Sequence, residues 1–278
     1  MKKILCLTDF SESAQNGVLY ANELAKKFSS SLILMHTYDL CDDLQKKEFH
    51  HPLQIAYTET QSRDMLYKIC MDFTRANHYS NVDYGFITRE GDIQKNINDI
   101  ITERKIDLLV LSLEGALSPT DNYYGSVISR LIQNIKCPML VVPKNYKYNG
   151  IQNIVYAFDM EHENSFEKKA IEFAKELNAH LDILNYCNDE DEQHAEELYA
   201  KYNDLKIQSG YNKISLDIKA TENMIHSLEK FVTDRNADLL ILEHHKRNLY
   251  KELTESSVTK NFVFFSKVPM LIIQSKEK

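Results

Sequence analysis

An internal repeat is the feature that most constrains the fold of this chain. Three apolar segments of the first half recur in the same order in the second: KILCLTD (3–9) as NIVYAFD (153–159), DLLVL (107–111) as DLLIL (238–242), and PMLVV (138–142) as PMLII (269–273). The offset falls from 150 residues at the first segment to 131 at the last, which places the shortening around the second helix of the repeat. A collinear repeat of this kind predicts two copies of one domain, at 1–144 and 153–278, with the polar stretch 145–152 as a linker.

Within the first half, short apolar runs alternate with amphipathic segments. The runs predict five strands, and their β-branched and leucine-rich composition is typical of strands buried on both faces: Lys3–Leu7, Ser31–His36, Val82–Thr88, Leu108–Leu111 and Met139–Val142. The segments between them predict helices: from Ser11 or Ser13 as the N-cap to about Phe28, within His50–Asn81, from Gly91 and Asp92 through Glu103, and before Pro138. This alternation predicts an α/β fold, a doubly wound parallel sheet with helices on both faces in each half.

Composition limits the classes of partner. The formal net charge of −8 comes without a basic cluster, which argues against nucleic acid or an anionic membrane as the main partner. Apolar runs fall short of the roughly 18 residues that a membrane span needs, and Asp9 and Glu12 interrupt the N-terminal run, which favours a first strand over a signal peptide. Five scattered cysteines without a C-x-x-C pair indicate a reducing compartment, so we expect a cytoplasmic protein.

The loop after the fourth strand contains two glycines, each at one of its ends. Gly115 follows that strand, and Gly125 and Ser126 stand at the start of the next helix. A glycine permits close backbone approach to a ligand, and the unpaired N–H groups of a helix N-terminus suit phosphate. The same residues are equally typical of a glycine turn followed by a serine N-cap, so the pattern alone leaves both interpretations open.

The spacing of these residues resembles a family motif. Gly115, nine residues and then Gly125-Ser126 is similar to Gly-x2-Gly-x9-Gly-Ser/Thr, the nucleotide motif of the universal stress protein family, although Ser112 stands at the first glycine. The segments ILCLTDFSESA, DLLVLSLEG and KCPMLVVP also resemble that family, and the repeat extends the likeness to a tandem, two-domain member. The resemblance implies five parallel strands per domain in the order 3-2-1-4-5.

The resemblance also implies which residues bind ATP or a related adenine nucleotide. Those candidates are Leu7, Thr8, Asp9, Thr37, Ser112, Gly115, Gly125, Ser126 and Val127. A carboxylate such as Asp9 at the carboxyl end of a parallel strand can accept hydrogen bonds from ribose hydroxyls, but it can equally cap the first helix or close the turn. A side chain at Ser112 is expected to narrow the space for phosphate or ribose, and Val127 is expected to pack in the core.

The second half departs from the motif. Glu243, Lys246, Ser256 and Ser257 stand where the first half has Ser112, Gly115, Gly125 and Ser126. A carboxylate at Glu243 would repel phosphate, and the close backbone approach is lost with both glycines. We therefore expect a structural second domain that packs against the first, as the subunits of family homodimers do. It either completes a pseudo-dimer within the chain or leaves the fifth strands exposed for a further homodimer.

Three other patterns carry weaker hypotheses. His244-His245 is a poor chelating pair, since neighbouring strand residues point oppositely, and His50-His51 is expected in a solvated loop, so no metal site is predicted. The run Asp189–Glu192 is typical of a solvated helix start. Tyr123-Tyr124 could stack on a base or cover the phosphate site, but packing of the loop is favoured.

Hydrolase and P-loop motifs such as G-x-S-x-G, H-E-x-x-H and G-x-x-x-x-G-K-[ST] are missing from the sequence. The sequence therefore predicts a binding protein rather than an enzyme. The family resemblance implies a stress-response sensor or regulator that binds ATP or a related adenine nucleotide, with magnesium, in its first domain. Any hydrolysis of ATP would be slow and incidental. One alternative is a member without nucleotide that acts through a regulatory protein partner. Another is an enzyme that acts at the α-phosphate of ATP.

Overall fold

The protein is described from a computed structural model. The structure describes residues 1–38, 59–113, 131–132, 134–135, 137–158, 166–186, 192–219, 224–244 and 267–274. The strands are β1 (Lys3–Leu7), β2 (Ser31–Tyr38), β3 (Tyr84–Glu90), β4 (Leu108–Leu113), β5 (Met139–Pro143), β6 (Asn153–Phe158), β7 (His180–Tyr186), β8 (Ile214–Lys219), β9 (Leu239–His244) and β10 (Met270–Gln274). The helices are α1 (Glu12–Phe28), α2 (Glu59–Ala76), α3 (Ile93–Arg104), α4 (Phe166–Leu177), α5 (Glu192–Ser209) and α6 (Met224–Asp234).

The ten strands of the described residues form one sheet, in the order β3-β2-β1-β4-β5-β10-β9-β6-β7-β8. The first five strands are mutually parallel in the order 3-2-1-4-5, which confirms the predicted α/β fold. The last five strands repeat that order and are also mutually parallel. Each half therefore contributes one parallel sheet to the whole.

The two halves join where β5 meets β10. These strands run antiparallel, with Met270 opposite Val141, Leu271 opposite Leu140 and Ile272 opposite Met139. Backbone groups that would otherwise form an exposed sheet edge are thereby paired within the chain. Of the two arrangements that the sequence left open, the structure contains the internal one.

Helices cover both faces of the sheet. One face carries α1, α2 and α4 over side chains such as Ile4, Leu34 and Ile241. The opposite face carries α3 and α6 over side chains such as Leu5, Val141 and Leu240. Because alternate residues of each strand point to opposite faces, a strand buried on both sides is almost wholly apolar, as the sequence indicated.

The helix ends follow the capping residues in the sequence. Ser11, one of the two predicted N-caps, accepts a hydrogen bond from the Ala14 N–H and starts α1, and Asp92 does the same for Lys95 at the start of α3. The α1 helix stops at Ser29, which is left-handed at φ 49°. None of the helices within the described ranges is long and apolar enough to cross a membrane.

Candidate functional site

The candidate site lies at the point where the strand order of the first half reverses. Strand β1 has β2 on one side and β4 on the other, so the chain winds in opposite directions from this central strand. Ligands of open α/β sheets bind outside the carboxyl ends of the strands at such a point. Leu7 is the last residue of β1, and Thr8 and Asp9 follow it directly, so the fold places three of the predicted residues at this edge.

A tight turn fixes the chain between β1 and α1. The Thr8 N–H donates to the Met35 carbonyl at 2.9 Å, and the buried Thr8 hydroxyl accepts from the Phe10 N–H at 3.0 Å. Phe10 adopts a left-handed backbone with φ 66°, a conformation that a bulky residue rarely takes. Strain of this kind persists only where surrounding contacts hold it, so the turn is a fixed part of the site.

Asp9 closes this turn. Its Oδ1 accepts a hydrogen bond from the Ser11 N–H at 2.9 Å, while the residue itself remains exposed. This is the turn-closing role that the sequence left open beside the ribose-binding one. A carboxylate offers about four acceptor positions, so one backbone hydrogen bond leaves capacity for a ligand.

His36 supports the turn from β2 and was not among the predicted site residues. Its Nδ1 donates to the Thr8 carbonyl at 2.8 Å, and the Phe10 ring lies with its centroid 4.7 Å from the imidazole. Burial lowers the pKa of His36, against a smaller opposing effect of the Thr8 hydrogen bond, so the neutral ring is favoured. Strand alternation was the available signal, because it puts His36 on the same face as the buried Leu34.

Thr37 lies one strand away from the central strand. The sequence predicted that it follows β2, but β2 continues to Tyr38, and Thr37 pairs with Arg89 of β3. The extension arises because β3 itself runs to Glu90 and offers partners for two more residues. Thr37 therefore belongs to the carboxyl end of the neighbouring strand rather than to a loop.

Ser112 also lies within a strand. The sequence predicted that the fourth strand ends at Leu111, whereas β4 runs to Leu113 and pairs Ser112 with Val142. The Ser112 Oγ donates to the Val142 carbonyl at 3.1 Å, and the Ser13 hydroxyl lies 3.0 Å from the same oxygen. Since the Ser112 proton is used toward Val142, Ser13 is the donor in the second contact. The Ser112 hydroxyl therefore forms hydrogen bonds with Ser13 of α1 and with Val142 of β5.

The remaining motif residues lie outside the described residues. These are Gly115, Gly125, Ser126 and Val127, with Tyr123 and Tyr124, and in the second half Lys246, Ser256 and Ser257. His50, His51 and His245 lie outside as well, as do Asp189, Glu190 and Asp191. Glu243 and His244 are the last two residues of β9. Within the described part of the chain, no group of three metal-ligating side chains comes together.

Comparison with known proteins identifies relatives of this chain. The model of the universal stress protein family matches residues 1–143. A universal stress protein from Archaeoglobus fulgidus is similar in structure at a TM-score of 0.70, with 14% identity over 98% of both chains. A protein from Pseudomonas aeruginosa, described as a putative universal stress protein, is similar at a TM-score of 0.63, with 11% identity over 99% of this chain and 93% of that one.

A universal stress protein solved in complex with cAMP matches 52% of this chain and 98% of its own, with 19% identity and a TM-score of 0.38. No curated protein matches the sequence. The likeness to the two full-length structures extends the shared fold over both halves of the chain.

Proposed function

The chain belongs to the universal stress protein family, and from that premise we propose that its first half binds ATP or a related adenine nucleotide at the edge where β1 and β4 diverge. Magnesium would accompany the triphosphate. In this proposal the protein is a sensor or regulator in a stress response, and it is not an enzyme, so any hydrolysis of ATP would be slow and incidental.

The observation that carries the proposal is the geometry of the turn at Asp9. An exposed carboxylate stands at the end of the central strand, and it accepts a hydrogen bond from the Ser11 N–H. The preceding residue, Thr8, is held by hydrogen bonds from Phe10 and His36. A carboxylate fixed at this edge can accept hydrogen bonds from the two ribose hydroxyls without paying for reordering of its own loop. The candidate phosphate-binding residues Gly115, Gly125 and Ser126 would follow from β4, the adjacent strand.

The hydrogen bonds of Ser112 explain how the first half could still bind nucleotide with a serine at the first glycine position of the motif. The hydroxyl is engaged by Ser13 and Val142 inside the domain. A polar atom already satisfied by α1 and β5 does not compete for the ligand's hydrogen-bond donors. This contact supports a first half that has kept its nucleotide site in spite of the substitution.

We assign a structural role to the second half, as a second universal stress protein domain over residues 153–278, connected to the first (1–144) by residues 145–152. Two features support this division: the repeated strand order and the pairing of β5 with β10. The substitution of both motif glycines, by Lys246 and Ser256, argues against a second nucleotide site.

A second candidate function is a member that binds no nucleotide and acts through contacts with a regulatory protein. The observation that favours it is that Asp9 closes a turn and Ser112 bridges α1 to β5, so each has a structural reason to be present. Both functions place the first half at the centre of the activity, and nucleotide binding separates them.

Calorimetric titration of the full chain with ATP and magnesium tests the proposal. The expected result is saturation near one site per chain, lost in a folded Gly115→Val/Gly125→Val variant. Ser256→Val, the corresponding position in the second half, is the matched control and should retain binding. Absence of saturable binding to the intact chain would exclude the nucleotide function and favour the protein-contact one. Release of AMP and pyrophosphate from labelled ATP would instead indicate an enzyme.

A further inference from the structure

A cavity of about 300 Å³ lies where the two halves of the protein meet, on the sheet face that carries α1 and α4. The junction strands β5 and β10 contribute Leu140 and Leu271 to its lining, and the two helices contribute Leu24 and Phe173. Protein interiors seldom contain voids larger than a water molecule, so a space of this size is a candidate ligand site.

The cavity is separate from the candidate nucleotide site. Met1, Asp107 and Pro138 stand just before β1, β4 and β5, so the cavity reaches the amino ends of these strands. Asp9 and Ser112 lie at the opposite, carboxyl edge of the same strands. A ligand in this cavity would therefore leave the edge at Asp9 accessible.

The walls of the cavity are almost wholly apolar. Among the described lining residues, only Asp107 and Lys169 carry polar side chains, and the rest are hydrophobic residues such as Leu24 and Ile241, which are 1% and 0% exposed. An ordered water needs two to four polar partners, which such walls do not supply. An apolar ligand therefore displaces no well-bound water when it enters.

The two charged side chains at the cavity favour a neutral ligand. The Asp107 Oδ2 accepts from the N–H groups of Lys2 and Lys3 at 2.7 and 2.9 Å, and Asp238 holds two N–H groups at the start of β6 in the same way, so this carboxylate has a structural role. Lys169 likewise already takes part in an interaction within the protein. An anionic ligand would meet the charge of Asp107 and a cationic ligand that of Lys169, and either would lose its own hydration.

A difference between the two halves indicates what shape of ligand fits. The left-handed residues Ser29 and Asn178 follow α1 and α4 in the same way, and nine residues before them stand Tyr20 and Lys169. The Tyr20 ring is 1% exposed and packs 5.0 Å from that of Tyr148, measured between centroids, whereas Lys169 is exposed. A buried aromatic ring thus occupies this position on α1, and α4 has no ring at the equivalent position.

Phe173 adds an aromatic surface to the lining. Its ring stacks on that of Phe28, the last residue of α1, with centroids 5.6 Å apart and the planes inclined by 22°. This stacking orders the Phe173 side chain before any ligand arrives. A flat aromatic ligand therefore gains contact with the ring at little entropic cost to the protein.

We propose that this cavity binds a neutral bicyclic aromatic molecule. The volume sets the size: an apolar cavity of about 150 Å³ holds benzene, so 300 Å³ accommodates a molecule of roughly twice that size. Naphthalene and indole, two fused rings each, match that space and serve as probes. This binding site lies beyond the proposed nucleotide function and does not depend on it.

The first test is a fluorescence titration of the full chain with indole. The chain contains no tryptophan, so indole emission can be separated from that of the protein, and its anisotropy should rise to saturation near one site per chain. Naphthalene should displace indole and bind more tightly, since it has no N–H group to desolvate. Benzene should bind at least about tenfold more weakly than naphthalene, because it buries less apolar surface. Absence of saturable binding, or equal affinities for benzene and naphthalene, would overturn the proposal.

Charged analogues of the same ring system test the requirement for neutrality. Both 1-naphthoate and 1-naphthylmethylamine should displace indole at least about tenfold less well than naphthalene does, because each brings a hydrated charge to apolar walls. If either analogue bound more tightly than naphthalene, the ligand class assigned to the cavity would be wrong.

Methyl resonances locate the ligand in the wild-type protein. With ¹³C-labelled isoleucine methyl groups, naphthalene should shift the signals of Ile241 and Ile273, which line the cavity. The signal of Ile97, on the opposite face of the sheet, should stay in place. Saturable binding that shifts Ile97 and leaves Ile241 and Ile273 unchanged would place the ligand elsewhere and contradict the assignment.

A cavity-filling variant gives an independent check. Ala170 lines the cavity from α4 and is 1% exposed, so Ala170→Leu should weaken naphthalene binding at least about tenfold by filling part of the space. Glu172→Leu puts the same side chain at an exposed position of that helix and should bind naphthalene as the wild type does. Unaltered binding by a folded Ala170→Leu, or equal losses in the two variants, would show that naphthalene does not occupy this cavity.

Discussion

Gly17 of α1 lies directly against Ser112 of β4. A Cβ added to Gly17 would stand 3.1 Å from the Ser112 Cβ and 3.3 Å from the Ser112 backbone nitrogen, closer than side chains ordinarily pack. The helix therefore approaches the strand at the position where the family motif has its first glycine. This close approach brings Ser13 within hydrogen-bond distance of Ser112.

Gly17→Ala is expected to destabilise the protein by about 1 kcal/mol. Overpacking a tight contact costs about 1–3 kcal/mol, and the better helix propensity of alanine offsets about 0.5–1 kcal/mol of that. Adding Ser112→Gly removes one of the clashing atoms, so the double variant should be more stable than the sum of the single effects by at least about 0.5 kcal/mol. Urea unfolding of the four proteins measures this coupling.

Gly85→Ala is the matched control for this cycle. A Cβ there would meet Ile33 at 3.9 Å, which is ordinary van der Waals contact. Its effect should add to that of Ser112→Gly within about 0.5 kcal/mol. Equal coupling for Gly17 and Gly85 would show that the contact with Ser112 is not what limits α1.

A buried carboxylate in the second half predicts a larger loss. Asp182 of β7 is 2% exposed and is held by Arg235 at 3.0 Å and by the Ser215 hydroxyl at 2.5 Å. The same arginine pairs with Asp217 at 2.7 Å. Arg235→Met should lower the free energy of unfolding by about 3 kcal/mol, because it leaves a buried charge without its main partner.

The exposed pair of Arg89 and Glu103 is the control for that variant. A guanidinium nitrogen of Arg89 lies 3.3 Å from the Glu103 Oε2, and the two side chains are 43% and 52% exposed. Arg89→Met should cost no more than about 1 kcal/mol, since water solvates both charges once they separate. Similar losses in the two variants would mean that Asp182 is reached by solvent and not dependent on Arg235.

Much of the fold could be predicted from the sequence because the strands are buried on both faces. Short leucine-rich and β-branched runs such as DLLVL and PMLVV are typical of the interior of a parallel sheet, and Ser11 and Asp92 mark helix starts by their side-chain chemistry. Strand ends were less predictable. Ser112 and Thr37 extend β4 and β2 because neighbouring strands offer partners, and a single segment contains no information about its neighbour's length.

The candidate site was predictable only in part, for the same reason. The carboxyl end of β1 follows from the strand pattern, which brings Thr8 and Asp9 to the edge. The support from His36 depends on how β2 aligns with the turn, and it becomes visible only once the strands are paired. The pairing of β5 with β10 could not be chosen from sequence, because two similar apolar edge strands can pair within one chain or between two.

His36 predicts a pH dependence of stability. Its pKa is lowered in the folded protein from the ordinary value of 6.5, mainly by burial. As the pH falls, His36 therefore takes up a proton in the unfolded chain before it does so in the folded protein. The contribution of neutral His36 to the free energy of unfolding is present above pH 6.5 and is lost as the pH drops toward the pKa of His36 in the folded protein. His36→Asn retains an N–H donor for the Thr8 carbonyl without titrating, and its unfolding free energy should fall less between pH 7.5 and 5.

Urea unfolding at several pH values measures that difference. His78→Asn, at an exposed position of the same half, is the control for the replacement of a histidine by asparagine. Parallel profiles for the wild type and His36→Asn would show that another group controls the loss of stability at low pH.

Removal of the Tyr20 hydroxyl is expected to stabilise the protein, in contrast to the losses of stability predicted above. This hydroxyl is buried and has no hydrogen-bond partner among the described residues. Burial is the largest cause that raises the pKa of Tyr20 well above its usual range, with smaller contributions from the nearby Tyr146, Tyr148 and Asp238, so the hydroxyl stays neutral. An unpaired buried polar group costs about 1–3 kcal/mol, so Tyr20→Phe should stabilise the protein by about 1 kcal/mol while the ring keeps its packing on Tyr148.

Tyr146→Phe is the matched contrast, because that hydroxyl donates to the Asp238 carbonyl at 3.2 Å and its loss should destabilise by about 1 kcal/mol. Thermal and urea unfolding of both variants measure these changes in stability. A loss of stability in Tyr20→Phe would mean that the Tyr20 hydroxyl is hydrogen-bonded, and that the surroundings of Tyr20 are more polar than its packing indicates.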